Sequence, residues 1–531
     1  MRQQTTLNEV LRTAVAQWGD KIGLDFSGET FTYRQLDELS NRLANGLAAL
    51  GVKRHDRVCS LLDNSPLQVF LLFAIARLGA VSVPLNTALR GEFLRHQIAD
   101  AGACLIVSEA HYAERIVAVE DGIPATTSCV VRGEGGATGG SRLAFHPLEE
   151  LLGADATPVS VETAPSELAV VLYTSGTTGP SKGCMISHNH LCNTGWLMAT
   201  NADIHHDDIF WTPMPLFHMG AAGFLVGCIQ LGARAAIAPQ FSLSQFWVDI
   251  ERSGASVALV ISVMLVLVAE APDNEHSLRC HGQLRAVVGV PFSHALIDKW
   301  KTRFGVRHAG AMGFGMTEAT PMTISHVTQP APDGASGRRF DEFCVEVVDE
   351  RDRVLPPGEV GQLVVRPVHP DTIFMGYWQR PQATLEAWRN LWFHTGDLGR
   401  FDAEGFFHFV DRAKDSLRRG GENISSHEME MTFRAHPAVA DVAAHAVPSE
   451  KSEDEVMISV VRREGMALEA EELCLWSIER LPFFAVPRFI AFVPELPRNA
   501  SGRVLKFELR QKGVTATTWD RAKSGIVVRK R

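Results

Sequence analysis

Apolar positions recur at helical spacing through Leu36 to Leu50 and Leu67 to Leu78, and they crowd into short β-rich runs at Arg57 to Leu61, Ala80 to Pro84 and Cys104 to Val107. This alternation over the first 110 residues predicts βαβ units around a largely parallel sheet. The Gly-rich stretch Gly133 to Gly140 reads as a surface loop, and the alternation resumes from Leu168. Short strands at Phe343 to Asp349 and Gly361 to Arg366, separated by Pro356-Pro357-Gly358, predict a β-rich subdomain. After Asp411 the pattern changes again. Asn423 to Ala435 is helix-like, Val439 to Ala446 and Val456 to Arg462 are strand-like, and Glu469 to Leu481 is helix-like, which predicts a small α+β domain of about 120 residues. The fold class expected is therefore a large N-terminal α/β domain with a β-rich subdomain, followed by a smaller α+β domain.

The longest apolar run, Val257 to Ala269, is shorter than the ~20 residues a membrane helix requires, so it predicts a core strand with its flanking helix and no membrane span. The chain of 531 residues is too long for one hydrophobic core. A formal charge of -10 argues against electrostatic capture of nucleic acid or anionic membrane and favours small-molecule chemistry. The nine cysteines stand singly, without the close pairs that hold zinc or iron–sulfur clusters, and read as reduced thiols. The start, MRQQTTLNEV, lacks the apolar stretch of a signal peptide, so a cytoplasmic location is expected.

One segment carries evident chemistry. Leu172-Tyr-Thr-Ser-Gly-Thr-Thr-Gly-Pro-Ser-Lys-Gly183 follows an apolar strand and combines hydroxyls, glycines and one lysine. Glycines let backbone N–H groups approach a polyanion, Ser175, Thr177 and Thr178 add donors, and Lys182 supplies a point charge, so Thr174 to Gly179 (with Gly176 among them) reads as a phosphate-gripping loop. It lacks the GK[ST] ending of a P-loop NTPase. A Rossmann reading of Gly313-Phe314-Gly315 fails, because Glu318 stands where the third glycine is required.

The loop closely resembles that of the adenylate-forming superfamily of acyl-CoA synthetases, luciferases and adenylation domains, and other segments match in the family's order from Phe31-Thr-Tyr-Arg-Gln-Leu36 onward. The resemblance implies ATP or acyl-AMP, Mg2+ and coenzyme A as cofactors. It places Phe314, in Phe314-Gly315-Met316-Thr317-Glu318, beside adenine, Thr317 on phosphate, and Glu318 with Thr178 on magnesium. Gly289-Val290-Pro291 would border the adenine and acyl pocket. Asp397, within Trp392 to Gly399, would accept from both ribose hydroxyls, as a carboxylate's two oxygens allow, with Arg412 nearby. Tyr377-Trp378 matches a nucleotide motif, and Lys414 falls at the family's hinge, dividing 1–412 from a mobile 413–531. Met214-Pro-Leu-Phe-His218-Met219-Gly220-Ala-Ala-Gly223 is similar to the substrate-pocket motif, with His218 and Gly313 bordering the acyl and pantetheine groups. The small residues Gly220 to Gly223 leave room for a bulky apolar acid. The run Arg418 to Ser425, holding Gly420, Gly421, Glu422 and Asn423, resembles the loop that lines the pantetheine tunnel, where backbone without side chains fits a narrow channel. Its form, with Pro497 to Gly502, is similar to the carnitine/crotonobetaine-CoA ligase branch.

Two positions depart from the family. Relatives end the last motif with lysine, which bridges the carboxylate and the α-phosphate during adenylation; this chain has Arg503. A planar guanidinium is not interchangeable with a compact ammonium in a tight site, and misplacing one preorganised cation slows a step by roughly 10²–10³-fold. Thioester formation, which brings Gly421 and not Arg503 to the site, would be retained while adenylation is weak, with acyl-AMP supplied by a separate adenylating enzyme. The alternatives are a complete ATP-dependent synthetase in which Arg503 works or Lys506 substitutes, an enzyme loading a carrier protein, luciferase-like oxidation, and a non-catalytic acyl-AMP-binding protein. The second departure is Val288-Gly289-Val290-Pro291, where valine narrows the adenine side.

Overall fold

A computed structural model describes residues 3–135, 141–159, 161–174, 180–289, 292–311, 313–412, 417–420, 422–449, 454–498 and 504–529. The expectations placed on Ser175, Gly176, Thr177, Thr178, Gly179, Val290, Pro291, Lys414, Gly421 and Arg503 lie outside the described residues, and Arg412 and Asn423 are described as backbone only.

Two seven-stranded sheets form the large unit. The first runs His308–Ala311, Ala286–Gly289, Val257–Leu259, Ile209–Thr212, Arg234–Ile237, Ile22–Phe26 and Glu29–Thr32, parallel except for its last pair. The second runs Ala144–Pro147, Ser128–Arg132, Leu105–Glu109, Arg57–Leu61, Val81–Pro84, Leu168–Thr174 and Lys182–Ser187, again with one antiparallel pair at its edge. Strands buried on both faces read as unbroken apolar runs, which is why Val170 to Leu172 and Val257 to Leu259 do. The run Val257 to Ala269 divides into strand Val257–Leu259 and helix Ser262–Glu270.

Helices His188–Asn201 and Met219–Leu231 lie between the sheets, where Phe224 stacks on Phe210 of the first at 4.8 Å. They cross at small residues: a Cβ on Gly227 would stand 2.2 Å from the Gly195 carbonyl oxygen, so glycine alone permits this approach. A five-stranded antiparallel sheet follows, with Trp392–Phe401 between Gly361–Pro367 and Phe407–Arg412.

The C-terminal unit is a four-stranded sheet, Val439–Val447, Glu455–Arg462, Phe489–Phe492 and Trp519–Asp520, covered by helices Ser426–Arg434 and Ala470–Ile478. Its core is contiguous with the outer apolar face of the second large sheet. The helix expected over Asn423 to Ala435 starts later. Glu422–Ile424 instead pairs as a strand with Leu417–Arg419, and the Ser425 hydroxyl accepts from Glu428 N to cap a helix beginning at Ser426. Among the described residues no helix is long and apolar enough to cross a membrane.

Candidate active site

The antiparallel edge of the second sheet sets the site's geometry. Strand Leu168–Thr174 leaves the core and returns as Lys182–Ser187, with Thr174 opposite Lys182 in the register. Both ends of the segment expected to grip phosphate thus arrive on one sheet edge, beside the segment that carries Tyr377. The Lys182 ammonium sits 4.9 Å from the Tyr377 ring centroid, within cation–π range. The Tyr377 hydroxyl donates to Glu318 Oε1 at 2.8 Å. Glu318 is 4 % exposed, and its carbonyl oxygen accepts from Phe374 N at 2.8 Å, which ties Thr317-Glu318 to the same segment.

Burial and the Glu318 charge push the Tyr377 hydroxyl far above its ordinary range, so it remains a donor at any physiological pH. The same two causes hold the Cys184 thiol well above its usual value and protonated, which removes it as a nucleophile. Lys182 and Glu318 therefore meet through one aromatic ring, an arrangement that can hold phosphate on the cation side and a divalent ion on the carboxylate side. Magnesium is typically bound by one or two carboxylates plus substrate phosphates, and a buried, oriented Glu318 fits that mode.

Phe314 is half-buried, stacked on Phe409 at 5.5 Å and tilted against Phe407 at 5.2 Å, and so offers one flat face of an aromatic group. Gly315 is exposed, Met316 and Gly313 are half-buried, and Gly289 ends a core strand, where a Cβ would meet the Val260 carbonyl oxygen at 2.3 Å. Val288 is wholly buried, within strand Ala286–Gly289. Asp397 is a strand residue, not a turn residue: it is 2 % exposed, and the register places it directly opposite Arg412. Its N–H donates to Thr395 Oγ1 at 3.0 Å.

The C-terminal unit completes the site. Glu422 stands 3.4 Å from His218 Nε2 and accepts from Asn86 Nδ2 at 3.0 Å, so an acid from the small unit bridges two side chains of the large one. Gly420, at φ +60, makes the turn that presents Glu422. A cavity of about 90 Å³ joins the units here, lined by Thr174, Thr317, His218, Glu422 and Glu428 among others. The expectation that Gly220 to Gly223 leave room for an acyl group is corrected in part. Ala221 and Gly223 are buried, Met219 is 5 % exposed, and a Cβ on Gly223 would press on Thr194 at 3.1 Å, because the helix crossing consumes that space. Gly220 alone of the glycines there is free of close neighbours, with Met198 Cε at 3.9 Å.

Sequence reasoning missed Asn64. Its side chain accepts from Leu216 N at 3.0 Å and donates to the Met214 and Ala238 carbonyls at 2.9 and 3.1 Å, clamping the segment that carries His218. Polar Asn64-Ser65 before Pro66 was the available signal. It also missed Asn86 and the positioning role of Tyr377; nothing local in either distinguishes it from a surface polar residue or a core aromatic. Lys506 is committed within its own unit, 2.6 Å from Glu430 Oε1 and donating to Ser426 Oγ at 2.7 Å.

Comparison with known proteins shows the family and the fold. Residues 11–378 match the family described as AMP-binding enzyme, and 428–503 match the AMP-binding enzyme C-terminal domain. A crotonobetaine/carnitine–CoA ligase of Citrobacter koseri is 32% identical over 517 residues, covering 93% of this chain and 96% of that protein. A double mutant of o-succinylbenzoate CoA synthetase from Bacillus subtilis, bound to a product analogue, superposes with a TM-score of 0.81 at 24% identity over 94% of this chain and 98% of that one. The same Bacillus enzyme in complex with AMP superposes with a TM-score of 0.67 over the same coverage.

Proposed function

The chain belongs to the AMP-binding enzyme family, and from that premise we propose that it is an acyl-CoA ligase: it forms a thioester between a carboxylic acid and coenzyme A through acyl-AMP. The observation that carries this reading is the joining of Lys182, Tyr377 and Glu318 on one sheet edge with a cavity that the small unit closes through Glu422 against His218.

In adenylation, the acid's carboxylate oxygen attacks the α-phosphorus of ATP and pyrophosphate leaves. Lys182 holds phosphate charge, Glu318 and Thr178 would hold magnesium, which when bound neutralises the phosphates, and Asp397 takes the ribose diol across from Arg412. In thiol transfer, the CoA sulfur attacks the acyl-AMP carbonyl, a C–S bond forms, the C–O bond to phosphate breaks, and AMP departs. Glu422 fixes the His218 ring where the two units meet, and the glycines of the run Arg418 to Ser425, without side chains, suit a narrow passage for pantetheine. The division into 1–412 and a mobile 413–531 turning about Lys414 supplies the two arrangements. The better superposition with the product-analogue form of the Bacillus enzyme than with its AMP form supports reading the present arrangement as the thiol-transfer one.

Arg503 makes adenylation the weaker half-reaction. Support comes from the commitment of Lys506 to Glu430 and Ser426 within its own unit, which ties up the ammonium that stands nearest to Arg503 in sequence. The likeness to carnitine- and crotonobetaine-activating relatives supports free CoA as acceptor and a carboxylic acid as substrate. The deciding experiment compares thioester yield from acid plus ATP with yield from synthetic acyl-AMP, with CoA and a carrier protein as acceptors. Yield mainly from acyl-AMP, and restoration of the ATP route by Arg503→Lys, is the expected result. Equal yields from both routes sink the Arg503 claim, and no thioester from any acyl-AMP sinks the ligase reading.

A further inference from the structure

Every polar group of Ser181, at the exit of the phosphate-gripping segment, is held by a residue far away in sequence. Its carbonyl oxygen lies 2.9 Å from His96 Nε2, its hydroxyl accepts from Gln97 Nε2 at 3.3 Å, and its N–H donates to Glu428 Oε1 at 2.9 Å. His96 and Gln97 belong to helix Gly91–Ala101 of the large unit. Glu428 belongs to the first turn of helix Ser426–Arg434 of the small unit, where the Ser425 cap fixes its backbone. A carboxylate of the small unit therefore rests on an N–H that adjoins Lys182, in the segment whose composition points to anion binding. Thr174, Ser181 and Glu428 line one cavity.

We propose that Glu428 is a positioning residue for thiol transfer, whose carboxylate and pyrophosphate exclude one another at the Ser181 N–H and Lys182. The inference rests on the acyl-CoA ligase reading and adds to it a named acid that senses the leaving group. One N–H cannot serve a carboxylate and a phosphate at once, and two anions brought to one backbone site in a partly buried cleft repel. Docking of the small unit in the arrangement seen here thus requires the loop to be free of pyrophosphate. Linkage makes the effect reciprocal: by whatever factor pyrophosphate opposes docking, the docked Glu428 opposes pyrophosphate. Burial raises the Glu428 carboxyl above its ordinary range and Glu92 adds to the rise, while the hydrogen bonds from Ser181 and the charge of His96 draw it part of the way back.

The test is calorimetric titration of inorganic pyrophosphate with magnesium into the full-length protein and into its Glu428→Gln and Glu428→Ala variants. Glutamine keeps the shape and can still accept from Ser181 N–H but carries no charge; alanine loses both. Pyrophosphate is expected to bind about fivefold or more tightly to both variants, and the rate of thioester formation from synthetic acyl-AMP is expected to fall roughly tenfold in Glu428→Ala, the scale of one charge-assisted hydrogen bond. Pyrophosphate affinity that is unchanged or weaker in both variants overturns the proposal, as does an equal loss of adenylation and thiol transfer. A wild-type protein that forms no thioester from any acyl-AMP overturns the ligase reading instead, and the pyrophosphate titration still decides Glu428 by itself.

Discussion

Replacing Tyr377 by phenylalanine removes a single oxygen and leaves the ring under Lys182 in place. The hydroxyl donates to Glu318 Oε1 at 2.8 Å, while the backbone N–H of residue 377 is fixed on Thr384 Oγ1 at 2.9 Å and the ring packs edge-on against Phe374 at 5.1 Å, so the variant ring has every reason to stay. A hydrogen bond to a charged group is worth about 1.5–3 kcal/mol, which corresponds to roughly 10- to 150-fold in rate if Glu318 is needed in that orientation at the transition state. Tyr377→Leu should lose a further roughly 2- to 30-fold, because the cation–π contact of Lys182 at 4.9 Å, about 0.5–2 kcal/mol, goes with the ring. The assay is single-turnover formation of acyl-AMP from ATP and acid, beside formation of thioester from synthetic acyl-AMP and CoA. The β- and γ-phosphates of ATP, on which Glu318 through magnesium and Lys182 are proposed to act, are absent from the second reaction, so the loss should fall mainly on the first. A Tyr377→Phe protein with wild-type adenylation, or one in which both reactions fall alike, would refute the claim that this ring orients Glu318 and Lys182 for phosphate chemistry.

The remaining expectations are shorter. Gly227→Ala should lower the thermal midpoint, because its Cβ would stand 2.2 Å from the Gly195 carbonyl oxygen and overpacking costs about 1–3 kcal/mol; an unchanged melting curve would mean the two helices part freely. His188 and His190 are buried and pushed down to about 4 and about 3, so on acidification the unfolded chain takes up protons near pH 6.5 while the folded chain does not. Stability from these groups is present above that pH and falls below it by about 2 kcal/mol per histidine at pH 5; denaturant unfolding at pH 7 and 5 should show it, with a smaller drop for His190→Leu. Asn64→Ala leaves the Leu216 N–H and the Met214 and Ala238 carbonyls without their shared partner and should raise KM for the acyl substrate through drift of the His218 segment; an effect on stability with KM untouched would show that Asn64 only supports the fold. Asp397→Asn halves the capacity to accept from a diol and should weaken AMP binding by roughly tenfold in a direct titration, whereas unchanged AMP affinity would remove Asp397 from the ribose site.

Local pattern is read well where local physics decides. Strand Arg57–Leu61 stands at its expected bounds, and helices Tyr33–Ala49 and Pro66–Arg77 begin within a few residues of theirs, because apolar spacing and the Thr32 capping box act over a single turn. The start of the helix near residue 423 was misjudged because Glu422–Ile424 gains a strand partner in Leu417–Arg419, and pairing across a glycine turn outweighs a helical stretch of sequence.

By itself, the sequence determined the fold class and the family, since composition, period and motif order are properties of a chain read in one dimension. Tertiary structure alone decided which residues meet: that Tyr377 lies between Lys182 and Glu318, that Asp397 pairs with Arg412 in the register of two strands, and that Glu422 and Glu428 cross from the small unit to His218 and Ser181. It also decided that Gly223 and Ala221 serve helix packing and leave little room for substrate. The reason is physical. A hydrogen bond or a helix crossing depends on separations of a few ångströms between residues as distant in the chain as Asn86 and Glu422, 336 positions apart, and no spacing along the sequence records that distance.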